Sequence, residues 1–272
     1  MNLVAALCGS VPCVDTSPLH SGGVVDDRIQ EVYTAVFWAS VALGTVVTIL
    51  LIYSMLRFRR RSDDDEPAQF HGNTRLEIGW TMLPLLVFLA LFALTAANMP
   101  FVNDQRTAAD EGGNTPMKVT VVGVQFAWSF DYGASSNGKR VQSFGTLYVP
   151  SDTDVNLDIV STDPPCKPPT SVPGGETYAQ AVAHLGCGVN HSFYVPSLAG
   201  QMNAIPGQVN TMWLSARQGT YYGQCTELCG VGHAQMQITV VSLPSNQFQS
   251  CVFGNPSGTV DASSPACKPG GA

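Results

Sequence analysis

The sequence predicts a two-helix transmembrane hairpin followed by an all-β sandwich or Greek-key domain. Three observations carry that reading. The long uncharged apolar runs all fall before residue 100. Beyond it come short strand-like segments broken by Gly and Pro. Eight cysteines sit almost entirely outside the apolar part.

The first span is YTAVFWASVALGTVVTILLIYSML, 33–56, which holds no charged residue and at helical rise covers roughly 30 Å of hydrocarbon. The second is IGWTMLPLLVFLALFALTAANM, 78–99, with Pro84 early enough for a lost hydrogen bond to be tolerated. The first run is too long for a signal peptide and lacks a basic leader. Between the spans the loop 57–77 carries Arg57, Arg59, Arg60, Arg61 and Arg75, while the outer flanks are poor in Lys and Arg. The positive-inside rule puts this loop in the cytoplasm, so the segment 1–30 and everything after 100 are expected outside. Glu77, in TRLEIGW, stands at the inner end of the second span. By residue chemistry alone it snorkels to water or pairs with Arg75.

Six cysteines lie in Pro/Gly-rich stretches and suit an oxidising compartment: Cys8, Cys13, Cys166, Cys187, Cys251 and Cys267. Pairing of sequence neighbours is expected, Cys8 with Cys13, Cys166 with Cys187 and Cys251 with Cys267. The formal net charge of -7 argues against nucleic acid as a partner, since nothing here neutralises a row of phosphates. Acidic residues of the second part, among them Asp131, Asp152, Asp154 and Asp158, would suit a cationic partner.

Strand alternation runs through MKVTVVGVQFAWSFDY, LYVP, VNLDIV, HSFYVP, VNTMWLSA and MQITVVSL. The domain is expected over 101–245. The stretch 161–190 reads as a Pro-rich insertion, floppy unless closed by Cys166 and Cys187. His184, inside it, reads as structural. The last residues, 246–272, read as a separate stapled tail contacting a neighbouring subunit.

Near the end of the strand series stands GTYYGQCTELCGVGHAQMQITV, which gathers Cys225, Cys229, His233 and Met236 in one loop. Thiolate, imidazole and thioether together are the donor set of a soft redox metal, copper above all. Gly230 and Gly232 let the backbone fold back to present His233, and His191, opening a neighbouring strand, offers a second imidazole. Each piece has a bland alternative: a Cys225–Cys229 disulfide, a structural His, a core Met. Zinc accepts two Cys and two His but has little use for the thioether. One thiolate suffices for a blue-copper site, so two suggest two bridged coppers.

HSFYVPSLAGQMNAIPG followed by YYGQCTELCGVGHAQM resembles subunit II of the cytochrome c oxidases, as do the hairpin, TRLEIGW and the aromatic strand FAWSFDY. The resemblance implies a cupredoxin domain with a dinuclear copper A centre, taking electrons from a c-type cytochrome and passing them to haem in subunit I, where oxygen is reduced and protons are translocated. It implies Cys225 and Cys229 as bridging thiolates, His191 and Met236 on one copper, and His233 with the Glu227 carbonyl on the other. The Glu227 side chain would help hold a magnesium ion shared with subunit I, and Glu77 would mark the entrance of a proton pathway. At electron entry the family has a Trp where this chain has Phe126, with Trp128 two residues on. That departure, with the insertion nearby, fits a donor held in a respiratory supercomplex. No C-x-x-C-H occurs, so no fused c-type haem is expected. A copper-free quinol oxidase subunit, a nitrous oxide reductase and a copper-storage or delivery protein are the rival readings. The intact ligand set speaks against the first and the length against the second.

Overall fold

A computed structural model describes residues 21–59, 72–107, 115–135, 138–172 and 174–269. Cys8 and Cys13 lie outside the described residues, as does most of the basic loop between the spans. The chain divides into two compact units, 30–100 and the remainder.

The first unit is built from helices α1 (Val24–Arg57) and α2 (Thr74–Asn103). Along both, large apolar side chains stand open, among them Trp38, Leu56, Leu83, Phe88 and Phe92, each more than half exposed. Lipid is the solvent in which such a surface is stable. Hydroxyls inside α1 are satisfied within the helix, Thr45 donating to the Val41 carbonyl and Thr48 to that of Gly44, both at 2.7 Å. Both helices outrun the apolar runs that predict them. α1, at 34 residues, is about 51 Å long at 1.5 Å per residue. Hydropathy marks only the apolar stretch, whereas the helix starts earlier, with Asp26 and Asp27 in its first turn, where the helix dipole favours acids. α2 is capped by Asn73, whose side chain accepts from the Leu76 amide at 3.2 Å.

The second unit is a β-sandwich. Its strands are β1 (Met117–Val124), β2 (Ala127–Ala134), β3 (Arg140–Phe144), β4 (Thr146–Pro150), β5 (Asp154–Ser161), β6 (His191–Tyr194), β7 (Gln201–Ala204), β8 (Asn210–Ser215), β9 (Gly219–Cys225) and β10 (Gln237–Leu243). One sheet runs β3-β2-β1-β5-β8 and the other β4-β10-β9-β6-β7. The parallel pairs β1–β5 and β4–β10 join strands distant in sequence, which mixes each sheet. Alternation along the strands sends Trp128, Phe130, Leu147, Leu157, Phe193 and Ile238 inward, all essentially without solvent contact. Trp128 and Phe130 meet Phe193 across the sandwich, edge to face, with centroids 5.5 and 6.4 Å apart.

Two expectations are corrected here. The insertion 161–190 is more than a stapled loop. It contains α3 (Tyr178–Ala183), begun by a reciprocal capping box between Thr177 and Gln180. Tyr178, Ala179 and Val182 form a second apolar cluster with Val122 and Val160, and so cover part of the outward side of the first sheet. Cys166 and Cys187 are bonded across 21 residues, a staple contributing about 3 kcal/mol. The periodicity of this short helix is lost in sequence among prolines and glycines.

The residues after 245 are likewise no separate tail. α4 (Ser245–Val252) sends Phe248, Cys251 and Val252 into the main core, joined by Val260 and the disulfide partner Cys267. Phe248 and Phe253 gather about Tyr132, and the segment near Val260 runs beside β3 through hydrogen bonds with Gln142. Only three of these large side chains fall in one short helix, too few to announce a core element in sequence.

Candidate metal centre

The site is assembled where β6 begins and β9 ends. Phe193 and Cys225 are paired across those antiparallel strands, which brings His191, at the head of β6, beside the Cys225 thiol. Between β9 and β10 the chain leaves the sheet as a loop. Its base is closed by the Cys225 amide donating to the Met236 carbonyl at 2.9 Å, and one 3-10 turn, His233–Gln235, presents His233.

The ligating atoms of His191, Cys225 and Cys229 all lie within 4.8 Å of one another. Cys225 Sγ is 3.9 Å from His191 Nδ1 and 3.3 Å from the Glu227 carbonyl oxygen. Cys229 Sγ is 3.6 Å from His233 Nδ1 and 3.8 Å from Met236 Sδ. Thus all six donors named from sequence converge, five through side chains and Glu227 through its backbone. His191, Cys225, Cys229 and Met236 are buried, and His233 is half-buried. Two soft sulfur anions, a thioether and two imidazoles suit copper better than a hard ion. The two cysteines are free thiols, so the bland alternative of a disulfide between them is not what the structure contains.

The thiols differ sharply. Burial pushes both upward. At Cys225 the contacts with His191 and with the Ser192 backbone outweigh it and hold the thiol below the ordinary range. At Cys229 the neighbouring Cys225 charge adds to burial and drives its thiol higher. Two acids this close do not ionise together readily, so the second proton is held more tightly than the first. A metal held by both sulfurs would draw off both protons.

Two close approaches explain glycines. A Cβ at Gly123, in β1, would lie 3.1 Å from three atoms of His191, so the bare backbone there makes room for the imidazole. A Cβ at Gly232 would stand 2.5 Å from the Phe126 ring, which lies against the loop at Gly230 and Gly232. Phe126 is half-buried and packs against the core. Trp128 is wholly buried, edge-on to His191 at 6.1 Å, which corrects its reading as an entry contact because no donor can touch it. Its Nε1 has no hydrogen-bond partner among the described residues.

Sequence reasoning missed Asp163 and Gln125. Asp163 is buried at the entrance of the insertion, with its carboxylate 3.3 and 3.4 Å from His191 Nε2. It also accepts from the Gln125 amide at 2.5 Å, and Gln125 Nε2 in turn donates to the Cys229 carbonyl at 2.5 Å. Asp163 precedes His191 by 28 residues, and no local pattern links them. Glu77 belongs to the other unit, where its carboxylate accepts from the Asn73 amide at 3.1 Å at the start of α2.

Residues 117–243 match the family model described as cytochrome c oxidase subunit II, periplasmic domain, and 21–96 match that of its transmembrane domain. A cytochrome c oxidase subunit 2 from the yeast Wickerhamomyces canadensis is 32% identical over 213 residues, covering 75% of this chain and 80% of that protein. One from Cereibacter sphaeroides is 28% identical over 239 residues, covering 82% and 74%. A third, from Alkalihalophilus pseudofirmus, is 31% identical over 216 residues, 78% of this chain. This chain spans 54% of that protein's length.

Proposed function

Since the chain belongs to the cytochrome c oxidase subunit II family, we propose that its β-domain is the electron-accepting copper A domain of a respiratory oxidase. The observation that carries the reading is the convergence of Cys225, Cys229, His191, His233, Met236 and the Glu227 carbonyl on one buried point. Cys225 and Cys229 would bridge two copper ions, with His191 and Met236 completing one and His233 and the Glu227 carbonyl the other. Copper held there supplies one-electron redox chemistry.

The chain's own residues do the remaining work. The sandwich holds Cys225 and His191 on strand ends, and the loop that carries Cys229 is closed at its base by the Cys225 amide bonded to the Met236 carbonyl, so few atoms need move when charge changes. Burial of Cys225, Cys229, Met236 and His191 excludes water from the centre, which tunes its potential. Phe126, half-buried against the metal loop at Gly230 and Gly232, is the entry contact for the donor. The donor is a c-type cytochrome fixed in a respiratory supercomplex, and the acceptor is haem in subunit I. The altered aromatic and the docked insertion beside it favour a fixed donor, for which binding is effectively intramolecular.

The Glu227 side chain is read as a ligand to a magnesium ion shared with subunit I, and Glu77 as the cytoplasmic entrance of a proton pathway. The hairpin, 31–100, anchors the copper domain on the outer side of the membrane. The test is Cys225→Ser in the purified oxidase. Loss of the mixed-valence copper signal in electron paramagnetic resonance is expected, and an unchanged seven-line spectrum would refute the assignment.

A further inference from the structure

Asp163 ties both halves of the candidate centre to the inserted segment. Its Oδ1 accepts from the Gln125 amide, and Gln125 reaches the Cys229 carbonyl. Its carboxylate faces His191 Nε2, leaving Nδ1 toward the Cys225 sulfur. An imidazole whose far nitrogen donates to a carboxylate is fixed in tautomer and ring orientation. One buried side chain therefore governs a ring on β6 and the backbone of the β9–β10 loop.

The insertion holds Asp163 in turn. Asp163 Oδ2 accepts from the Val189 amide at 2.8 Å, and its own amide and carbonyl meet the Cys187 carbonyl and the Cys166 amide at 3.4 and 3.0 Å. Ser161 Oγ donates to the Val189 carbonyl at 2.7 Å. Gly188, at φ +133°, leaves no room for a side chain: a Cβ would stand 2.7 Å from Asp163 Oδ2. The Cys166–Cys187 disulfide closes this ring of contacts immediately beside the carboxylate. An insertion that merely decorated the surface would need none of these links to reach a ligand.

We propose that Asp163 is a positioning residue for the metal centre, and that the disulfide-closed base of the insertion serves to hold its carboxylate against His191 and Gln125. The proposal rests on the copper reading of the site but concerns only this chain's residues. Asp163→Asn keeps the size and removes the charge. In the purified oxidase it should alter the copper hyperfine pattern and lower copper retention against a competing chelator about 10- to 100-fold. Cys166→Ser with Cys187→Ser should shift the same spectrum in the same direction by less, because α3 still docks through Tyr178 and Val182.

Hydrogen–deuterium exchange on the full chain needs no copper and is the second arm. Both variants should speed exchange roughly tenfold in 187–194 and 225–236 while β5 and β8 stay protected. A role confined to general stability would instead raise exchange throughout the sandwich and leave the spectrum of folded, loaded protein as it was. Either that outcome or an unchanged Asp163→Asn spectrum overturns the proposal. A changed Asp163→Asn spectrum beside an unchanged double cysteine variant overturns the part given to the insertion. Wild-type oxidase without copper in this domain would refute the copper reading instead, and the exchange arm would still decide the role of Asp163. Should Asp163→Asn not accumulate, the double cysteine variant decides by the same two readouts.

Discussion

Gly123→Ala isolates how tightly the imidazole of His191 is held. The new methyl would lie 3.1 Å from Cβ, Cγ and Cδ2 of that residue, a few tenths of an ångström inside ordinary contact. The ring has nowhere to yield. His191 is fully buried, its Nε2 side is closed by Asp163 and its edge by Trp128. Overpacking of a well-filled interior costs about 1–3 kcal/mol. Gly123 lies inside β1, opposite Trp128 in β2 and beside Ser161 in β5, where Ala recovers only a fraction of that by its lower chain entropy. Since the strain falls on a ligand, it weakens the loaded state more than the sandwich. At 1.4 kcal/mol per tenfold, copper retention should fall roughly 5- to 150-fold. Competition against a graded chelator, read by the copper absorption of the purified protein, measures it. Retention within twofold of wild type, with an unaltered spectrum, would show that the ring can shift freely and that Gly123 is not there to admit it.

Three further outcomes are expected. Glu77→Gln should slow steady-state oxygen reduction while the donor still reduces copper at the wild-type rate; full turnover would return the residue to its capping contact with Asn73. Donor oxidation in the native assembly should be nearly flat with ionic strength, since a tethered donor needs no long-range steering, and a steep fall as salt screens charges beyond about 10 Å would mean a diffusing partner. Phe248→Ala should destabilise the sandwich by about 3–5 kcal/mol, because the ring is 2% exposed in the main core; thermal unfolding indistinguishable from wild type would restore the last residues to a separate tail.

The sequence by itself determined what is written in local pattern. Two uncharged apolar runs announce the spans because lipid tolerates little else, and period-two alternation announces strands because successive side chains face opposite ways. The metal loop was legible for the same reason: Cys225, Cys229, His233 and Met236 fall within twelve residues, and their chemistry is specific without a fold. His191 was legible as a candidate only through its place at the head of a strand. What tertiary structure decided are the relations between segments far apart in the chain. It buried Trp128 wholly and left Phe126 half-buried, although the two stand only two residues apart in one motif. It drew residues after 245 into the core, where Phe248 meets Tyr132 across more than a hundred residues. It set Asp163 against His191 and Gln125 against the Cys229 carbonyl. A carboxylate 28 residues from its imidazole leaves no periodic trace, because hydrogen bonds between strands depend on sheet order and register, which alternation does not encode.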